Sequence, residues 1–217
     1  MLLRSKLSLI FLFLAVSNAY PQLEKDPKAT EILNGVSEKY KSYKSVSSDF
    51  KIIIEDLKNK SKDTQSGKIS IKGNMYRLTL ADQEVISDGK TVWTYLKEAN
   101  EVQINEPSAK SGTITPNNIF TMYESGFGTR FSGEKTIGGK VYYIIDLVPE
   151  DTKKSFFKVQ LNINKNEKQV ASAKVFQKNG TFLYYTIDKF RPNGVTTDSI
   201  FNFNKVNYPG VEVIDLR

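Results

Sequence analysis

The sequence predicts a mostly β protein in which about eleven antiparallel strands curl into a barrel or a large part of one. Three observations predict this fold class. Segments in which apolar and polar residues alternate recur along most of the 217 residues, as in strands with one solvated face. Short turn signals such as Asp88-Gly89 and Asn179-Gly180 separate these segments. Helical spacing is confined to two short segments, which favours hairpins over β-α-β units.

The N-terminus predicts export. Arg4 and Lys6 precede the apolar run Leu7–Val16, and the small residues up to Ala19 offer a cleavage site, which is the pattern of a signal peptide. The run is well short of the roughly 20 residues that a membrane-spanning helix needs. We therefore expect residues 1–19 to be removed, with cleavage after about Ala19, and residues 20–217 to form a single periplasmic domain.

The first predicted element of that domain is a helix. Asp26 can cap it and Pro27 suits its first position. Its apolar residues recur at helical spacing and are Ala29, Ile32, Leu33, Val36 and Tyr40. A strand follows, in which Phe50, Ile52 and Ile54 alternate with polar residues.

The later strands form a meander of hairpins. Turns are predicted at Gly73-Asn74, Ser87–Lys90, Gly138-Gly139 and Asn179-Gly180. The strands, by apolar position or range, are Ile69 and Ile71; Tyr76, Leu78 and Leu80; Val85-Ile86; Val92–Leu96; Val102 and Ile104; Phe131–Ile137; Val141, Tyr143, Ile145 and Leu147; Phe157, Val159, Leu161 and Ile163; Val170–Gln177; Thr181–Phe190; and Ser199–Phe203.

One segment interrupts the meander. Thr115-Pro116 opens a short helix that is apolar around its circumference, with Gly112, Gly126 and Gly128 as flexible flanks. Its apolar residues are Ile119, Phe120, Met122, Tyr123 and Phe127. The residues alone favour a plug that closes the end of a barrel over a moving lid, and leave both open.

Aromatic and apolar residues exceed what one face of a sheet requires. The chain has 13 Phe and 11 Tyr, and the strands Val141–Val148 and Phe182–Ile187 are apolar on both faces. This pattern fits an inner apolar cavity, and it also fits a filled core without a ligand.

The composition lacks the residues that most familiar hydrolase and metalloenzyme mechanisms use. The chain has no His and no Cys, so the commonest general base, zinc ligand and thiol chemistry are missing. The neighbouring carboxylates Glu55-Asp56 and Glu150-Asp151 lie near strand ends, where adjacent side chains point to opposite faces. We expect no enzymatic activity, no cofactor and no metal. The excess of Lys and Arg (31) over Asp and Glu (24) is spread along solvated strand faces, and nucleic acid is not an expected partner.

The chain resembles the LolA family of outer-membrane lipoprotein carriers over essentially all of residues 20–217, most specifically in two segments. Val85–Tyr95 is similar to the family's I-V-S-D-G-K-x-x-W-x-Y stretch, and Phe201–Asp215 is similar to its F-x-F-x-x-P-x-G-V-x-V-x-D ending. Val46–Phe50 resembles the family's first strand, and Thr115-Pro116 falls where the family has its lid. The resemblance implies an unclosed, strongly curved antiparallel β-barrel with helices covering its concave apolar face.

The resemblance also implies a function. A monomeric carrier would accept acylated lipoproteins from an inner-membrane lipoprotein-releasing ABC transporter and deliver them to the outer membrane, where a dedicated acceptor is possible. The candidate acyl-chain cavity consists of Phe50, Ile52, Ile69, Ile71, Tyr76, Leu78, Leu80, Trp93, Tyr95, Val141, Tyr143, Ile145, Phe157, Val159, Leu161 and Tyr185. The candidate lid consists of Ile32, Leu33, Val36, Ile119, Phe120, Met122, Tyr123 and Phe127.

The chain departs from the family at one point. Where the family has Lys-Arg-Pro, with an arginine that ties the lid to the barrel, this chain reads Lys72-Gly73-Asn74-Met75-Tyr76. Two other hypotheses remain. A related half-barrel could bind a lipid without a protein part, as a carrier or sensor, and an exported enzyme would need a cluster of carboxylates or a Ser-Lys pair in its pocket.

Overall fold

The computed structural model describes residues 25–107 and 122–217, which form one twelve-stranded sheet and one α-helix. The helix α1 is Pro27–Lys41. The strands are β1 Val46–Asp56, β2 Ser61–Lys72, β3 Met75–Thr79, β4 Gln83–Ser87, β5 Val92–Leu96, β6 Glu101–Asn105, β7 Phe127–Ile137, β8 Lys140–Pro149, β9 Phe156–Asn164, β10 Gln169–Gln177, β11 Thr181–Pro192 and β12 Glu212–Asp215. Short 3₁₀ turns span Met122–Glu124, Asp198–Phe201 and Lys205–Asn207.

The sheet consists of two meanders that meet at one central pairing. Its strand order is β12-β6-β5-β4-β3-β2-β1-β11-β10-β9-β8-β7. All pairs are antiparallel except β12, which runs parallel to β6. The outer strands β7 and β12 do not pair with each other, so the described sheet is unclosed. This confirms a mostly β, unclosed antiparallel fold, while helices covering one face as a whole stay a prediction.

The predicted hairpin turns lie where the sequence places them. Gly89 joins β4 to β5 at φ +90°, and Gly180 joins β10 to β11 at φ +91°. Both values lie in the left-handed region that only glycine adopts without strain. Turn chemistry therefore fixes the registers of these hairpins locally.

Asp26 caps α1, as the sequence predicts, and also ties the helix to the sheet. Its carboxylate accepts hydrogen bonds from the N–H groups of Lys28 (2.8 Å) and Ala29 (3.2 Å) and from that of Phe131 on β7 (2.9 Å). The bond from Phe131 contributes most to lowering the pKa of Asp26. The entry of the helix is thus anchored on the edge strand β7.

The side chains form two apolar cores on opposite faces of the sheet. The helix face is the one whose side chains pack with α1, and its buried cluster includes Leu33, Val36 and Tyr40 of the helix. The back face carries Ile86 and Val102. Those two buried residues lie outside the main cluster, as do Phe201 and Val211 of the C-terminal segment.

The structure corrects one sequence prediction at the C-terminus and adds one strand there. The strand predicted over Ser199–Phe203 is instead the 3₁₀ turn Asp198–Phe201, which Thr197 caps by accepting a hydrogen bond from the N–H of Ser199. The N–H of Asn202 donates to the carbonyl of Ser199, which closes the turn, and Phe201 is fully buried. The parallel strand β12 was not predicted.

The predicted lid helix lies mostly outside the described residues. Of its apolar residues, Ile119 and Phe120 fall there, and Met122 begins the 3₁₀ turn Met122–Glu124. Phe127 belongs instead to strand β7, where it is 1% exposed and stacks on Phe156. In residues 25–107 and 122–217, no helix has the length and apolar character that crossing a membrane requires.

Candidate functional site

Strand registers bring most of the predicted cavity residues onto the helix face. Ile52 on β1 pairs with Tyr185 on β11, which pairs with Ala173 on β10. Ala173 pairs with Leu161 on β9, and Leu161 pairs with Ile145 on β8. Antiparallel partners project to the same side of a sheet. These five side chains therefore form a continuous row across the central strands.

The same face continues over β2 and β3, where Ile71 pairs with Tyr76 and Ile69 with Leu78. Thirteen predicted cavity residues lie on it in all: Phe50, Ile52, Ile69, Ile71, Tyr76, Leu78, Leu80, Val141, Tyr143, Ile145, Val159, Leu161 and Tyr185.

Trp93 and Tyr95 lie on the back face, so the structure does not bring them together with the other predicted residues. The ring of Trp93 stacks near Phe203, with 6.4 Å between centroids. The ring of Tyr95 lies edge-on to Tyr208 at 4.7 Å. Strand β5 has apolar residues on both of its faces, so the sequence pattern does not indicate which face points toward the helix. The aromatic residues of the C-terminal segment were the signal that a second apolar face exists.

Phe157 also points away from the helix face. The register of β9 with β10 shifts between Phe176 and Gln177, so that Phe156 pairs with Gln177. Phe156 is buried in the core, whereas Phe157 is 48% exposed and lies 5.9 Å from the ring of Phe176. A bulge of this kind reverses which of two neighbouring residues faces inward.

The helix face is deeply buried beside α1 and half-buried elsewhere. We call its half-buried part the apolar strip, which consists of Phe50, Ile52, Ile54, Leu78, Leu80, Leu183 and Tyr185. Burial raises the pKa of Tyr185, so its hydroxyl is neutral. Gln65 and Asp63 on β2 face Ile52 and Ile54 and form a polar margin.

Phe50 gives the strip its shape at β2. Its cross-strand partner is Gly67, and an ideal β-carbon on Gly67 would lie 2.5 Å from Cζ of Phe50 and 2.8 Å from Cδ2 of Leu80. The missing side chain therefore lets two apolar side chains converge over one backbone position. Contiguous, partly exposed apolar surface of this kind is typical of sites that bind apolar ligands.

The predicted lid residues that the structure describes lie beside α1. Leu33 and Val36 are buried in the main core, and Ile32 packs against it. Tyr123 is 4% exposed, and its phenolic oxygen accepts a hydrogen bond from the hydroxyl of Ser37 at 3.4 Å. Burial raises the pKa of Tyr123 to about 12. The segment that follows residue 121 is thus fixed against the helix.

A polar network that the sequence analysis did not identify fastens the back face. Nε of Arg77 donates to Glu84 at 2.8 Å, and the other guanidinium nitrogens donate to the carbonyl of Ile200 and the hydroxyl of Tyr208. Tyr208 and Thr79 also donate to the Glu84 carboxylate. Burial raises the pKa of Glu84. These hydrogen bonds together lower that pKa by more than burial raises it, so the net shift is downward.

The apolar strip and the polar network lie on opposite faces of the sheet. Across the part of the chain that the structure describes, no group of three or more Asp or Glu residues is placed to hold a metal ion. Arg77 and Glu84 lie under the C-terminal segment, on the face opposite the apolar strip. What the helix face offers to a ligand is therefore apolar contact area.

The chain is similar to several known proteins. Residues 45–179 match the family described as Outer membrane lipoprotein carrier protein LolA. An uncharacterized protein of Methanocaldococcus jannaschii is 25% identical over 161 residues, which cover 72% of this chain and 48% of that protein. The chain therefore spans about half the length of the curated relative it matches.

Solved structures are also similar to this chain. An uncharacterized conserved protein from Thermus thermophilus shares the fold, with a TM-score of 0.55 at 14% identity, over 87% of this chain and 99% of that one. A putative outer membrane lipoprotein-sorting protein domain from Vibrio parahaemolyticus has a TM-score of 0.46 at 11% identity, over 81% and 96% of the two chains.

Proposed function

The chain belongs to the family of the outer membrane lipoprotein carrier protein LolA, and from that premise we propose that it carries lipoproteins with their acyl chains held on the apolar strip. The observation that carries the proposal is the half-buried state of that strip. Each methylene left in water costs about 0.8 kcal/mol. An acyl chain laid along Phe50, Ile52 and Tyr185 would remove its own methylenes and the exposed part of the strip from water together.

The remainder of the route is part of the same proposal. The protein is exported after cleavage near Ala19 and acts as a monomeric periplasmic domain over residues 20–217. It takes acylated lipoproteins from an inner-membrane ABC transporter and passes them to the outer membrane, directly or through an acceptor. The segment with Ile119, Phe120 and Tyr123 acts as the lid, and no covalent step is needed.

Reversible binding is supported by the division of the helix face. Leu33 and Val36 of α1 already cover its deepest part, so a ligand meets side chains that are only partly exposed. A carrier has to release its cargo, and moderate apolar contact serves that need better than complete enclosure. Trp93, Tyr95 and Phe157 take no part in this site.

The test is mass spectrometry of the protein purified from the envelope fraction of its native cell, compared with two variants. Ile52→Glu places a charge in the apolar strip. The matched control is Ile53→Glu at the next position, since Ile53 is also half-buried but pairs with Tyr184 and Thr64 on the back face.

We expect triacylated lipoproteins to co-purify with the wild type and with Ile53→Glu, and to be lost from Ile52→Glu. Equal loss from both variants would mean that charge anywhere in β1 disturbs the fold. Free phospholipid without lipoprotein would support the lipid carrier or sensor, and a consistently empty protein would identify the helix face as an ordinary core.

A further inference from the structure

One end of the sheet gathers three loops into a single surface, which we call the basic end. It consists of residues 57–60, 150–155 and 178–180, which connect β1 to β2, β8 to β9 and β10 to β11. The N–H of Leu57 donates to the carbonyl of Gly180 at 3.2 Å, and the N–H of Lys178 donates to that of Ser155 at 2.8 Å. These bonds hold the three loops side by side.

The basic end carries an excess of positive charge. Its three loops contain five lysines (Lys58, Lys60, Lys153, Lys154 and Lys178) against the two acidic residues Glu150 and Asp151. Lys154 lies over the ring of Phe127 at 4.6 Å. The carboxylate of Asp56, at the edge of the surface, accepts three hydrogen bonds from Lys58 and Asn59.

The lysines of this surface differ from many of those elsewhere in the sheet. Among the residues that the structure describes, none of the five forms an ion pair with a carboxylate, whereas the opposite end has both paired lysines (Lys72, Lys140 and Lys165) and unpaired ones (Lys44, Lys90 and Lys189). Ion pairing neutralises the field of a charge, so the unpaired lysines project theirs into solvent.

Exposed apolar side chains lie among these charges. Leu57 is 50% exposed at the tip of the β1–β2 turn, and Phe157 is 48% exposed at the start of β9. The ring of Phe157 contacts the ring of Phe176, with 5.9 Å between centroids, and the ring of Phe176 contacts that of Phe182 at 5.1 Å. Large apolar side chains set in a rim of lysines are the combination by which peripheral proteins bind an anionic lipid surface.

We propose that the basic end docks on anionic membranes, with Leu57 and Phe157 entering the headgroup region and Lys58, Lys60 and Lys153 contacting lipid phosphates. An anionic lipid surface satisfies both features at once, because its headgroups match the charge and its acyl boundary takes the apolar side chains. The proposal does not require cargo on the apolar strip. It concerns a separate surface of the same sheet.

The test is flotation of the purified exported protein with vesicles of phosphatidylcholine, with and without anionic phosphatidylglycerol. We expect binding to the anionic vesicles only, and its loss when salt is raised to about 1 M. The charge variant is Lys58→Gln/Lys60→Gln/Lys153→Gln, for which we expect about a hundredfold weaker binding. The apolar variant is Leu57→Ser/Phe157→Ser, which should weaken binding while leaving its salt dependence in place.

A matched control removes the same charge from the opposite end of the sheet. Lys44→Gln/Lys90→Gln/Lys189→Gln changes three exposed lysines and should bind vesicles as the wild type does. Equal weakening in both triple variants would overturn the proposal, since net charge alone would then explain binding. Wild type that binds no vesicles would overturn it too, as would a partner protein that requires the same residues while lipid does not. Thermal unfolding checks that each variant is folded, and lipoprotein co-purification with Ile52→Glu is scored separately.

Discussion

The ring of Phe50 lies over Gly67, its cross-strand partner, at a distance that leaves no room for a β-carbon. We expect Gly67→Ala to lower the free energy of unfolding by about 1–3 kcal/mol, the usual cost of overpacking. The added methyl would also meet the backbone carbonyl of Thr79 at 2.8 Å, which cannot rotate away. Urea unfolding followed by circular dichroism measures the change.

Gly35 provides the control for that substitution. It lies inside α1, and an added β-carbon there would meet only the Lys168 side chain at 3.7 Å. Gly35→Ala should therefore raise the free energy of unfolding by up to about 1 kcal/mol through helix propensity. If both glycine variants were stabilised, the packing of Phe50 over Gly67 would have to be looser than described.

The ion pair under the C-terminal segment makes a second prediction. Glu84 is 8% exposed, and its removal leaves Arg77 and Tyr208 without their shared acceptor. Glu84→Ala should destabilise the protein by about 2–3 kcal/mol in urea unfolding. Glu134→Gln breaks the exposed pair with Lys165 and should change stability very little. A comparable loss of stability in that control would show that the Glu84 pair contributes no more than an exposed ion pair.

Acid sensitivity should follow from the same carboxylate. Hydrogen bonds hold the pKa of Glu84 below its ordinary value of 4.5, so its contribution to stability is complete above that value and is lost as pH falls through the folded-state pKa. As the pH is lowered from neutral to below about 4.5, the free energy of unfolding should fall more for the wild type than for Glu84→Gln. Parallel curves for the two proteins would show that other carboxylates dominate.

The single tryptophan reports on the back face. Because Trp93 stacks near Phe203, Phe203→Ala should shift its emission to longer wavelength and increase quenching by acrylamide. Ile52→Glu alters the opposite face and should leave the spectrum unchanged. A spectral shift with Ile52→Glu instead would place Trp93 near the apolar strip, as its sequence position first indicated.

Local signals predicted the fold well because each acts over a few residues. Gly89 and Gly180 mark their turns, Asp26 and Pro27 mark the start of α1, and strict alternation orients Phe50 and Ile52. Orientation failed where that information is missing. Trp93 lies in a strand that is apolar on both faces, and Phe157 is the extra residue of a bulge that turns Phe156 inward.

Longer-range features were not predictable from those signals. Strand β12 has four residues and pairs with β6, more than a hundred residues earlier in the chain. The Arg77–Glu84–Tyr208 network joins positions that are close only after the C-terminal segment has folded over β3. Resemblance to a family pointed to both segments without specifying these contacts.

The pairing of β1 with β11, in which Val46 lies opposite Pro192, has a kinetic consequence. Apart from β12, each meander pairs strands that are neighbours in sequence, but this seam joins β1 to a strand that lies more than a hundred residues later in the chain. Contacts of such separation form slowly because a long loop must close first. Until this seam forms, β1 and β11 each lack one strand partner, and unpaired strand edges are the sites at which chains aggregate. Conditions that slow the closing of the seam should therefore favour aggregation of this protein.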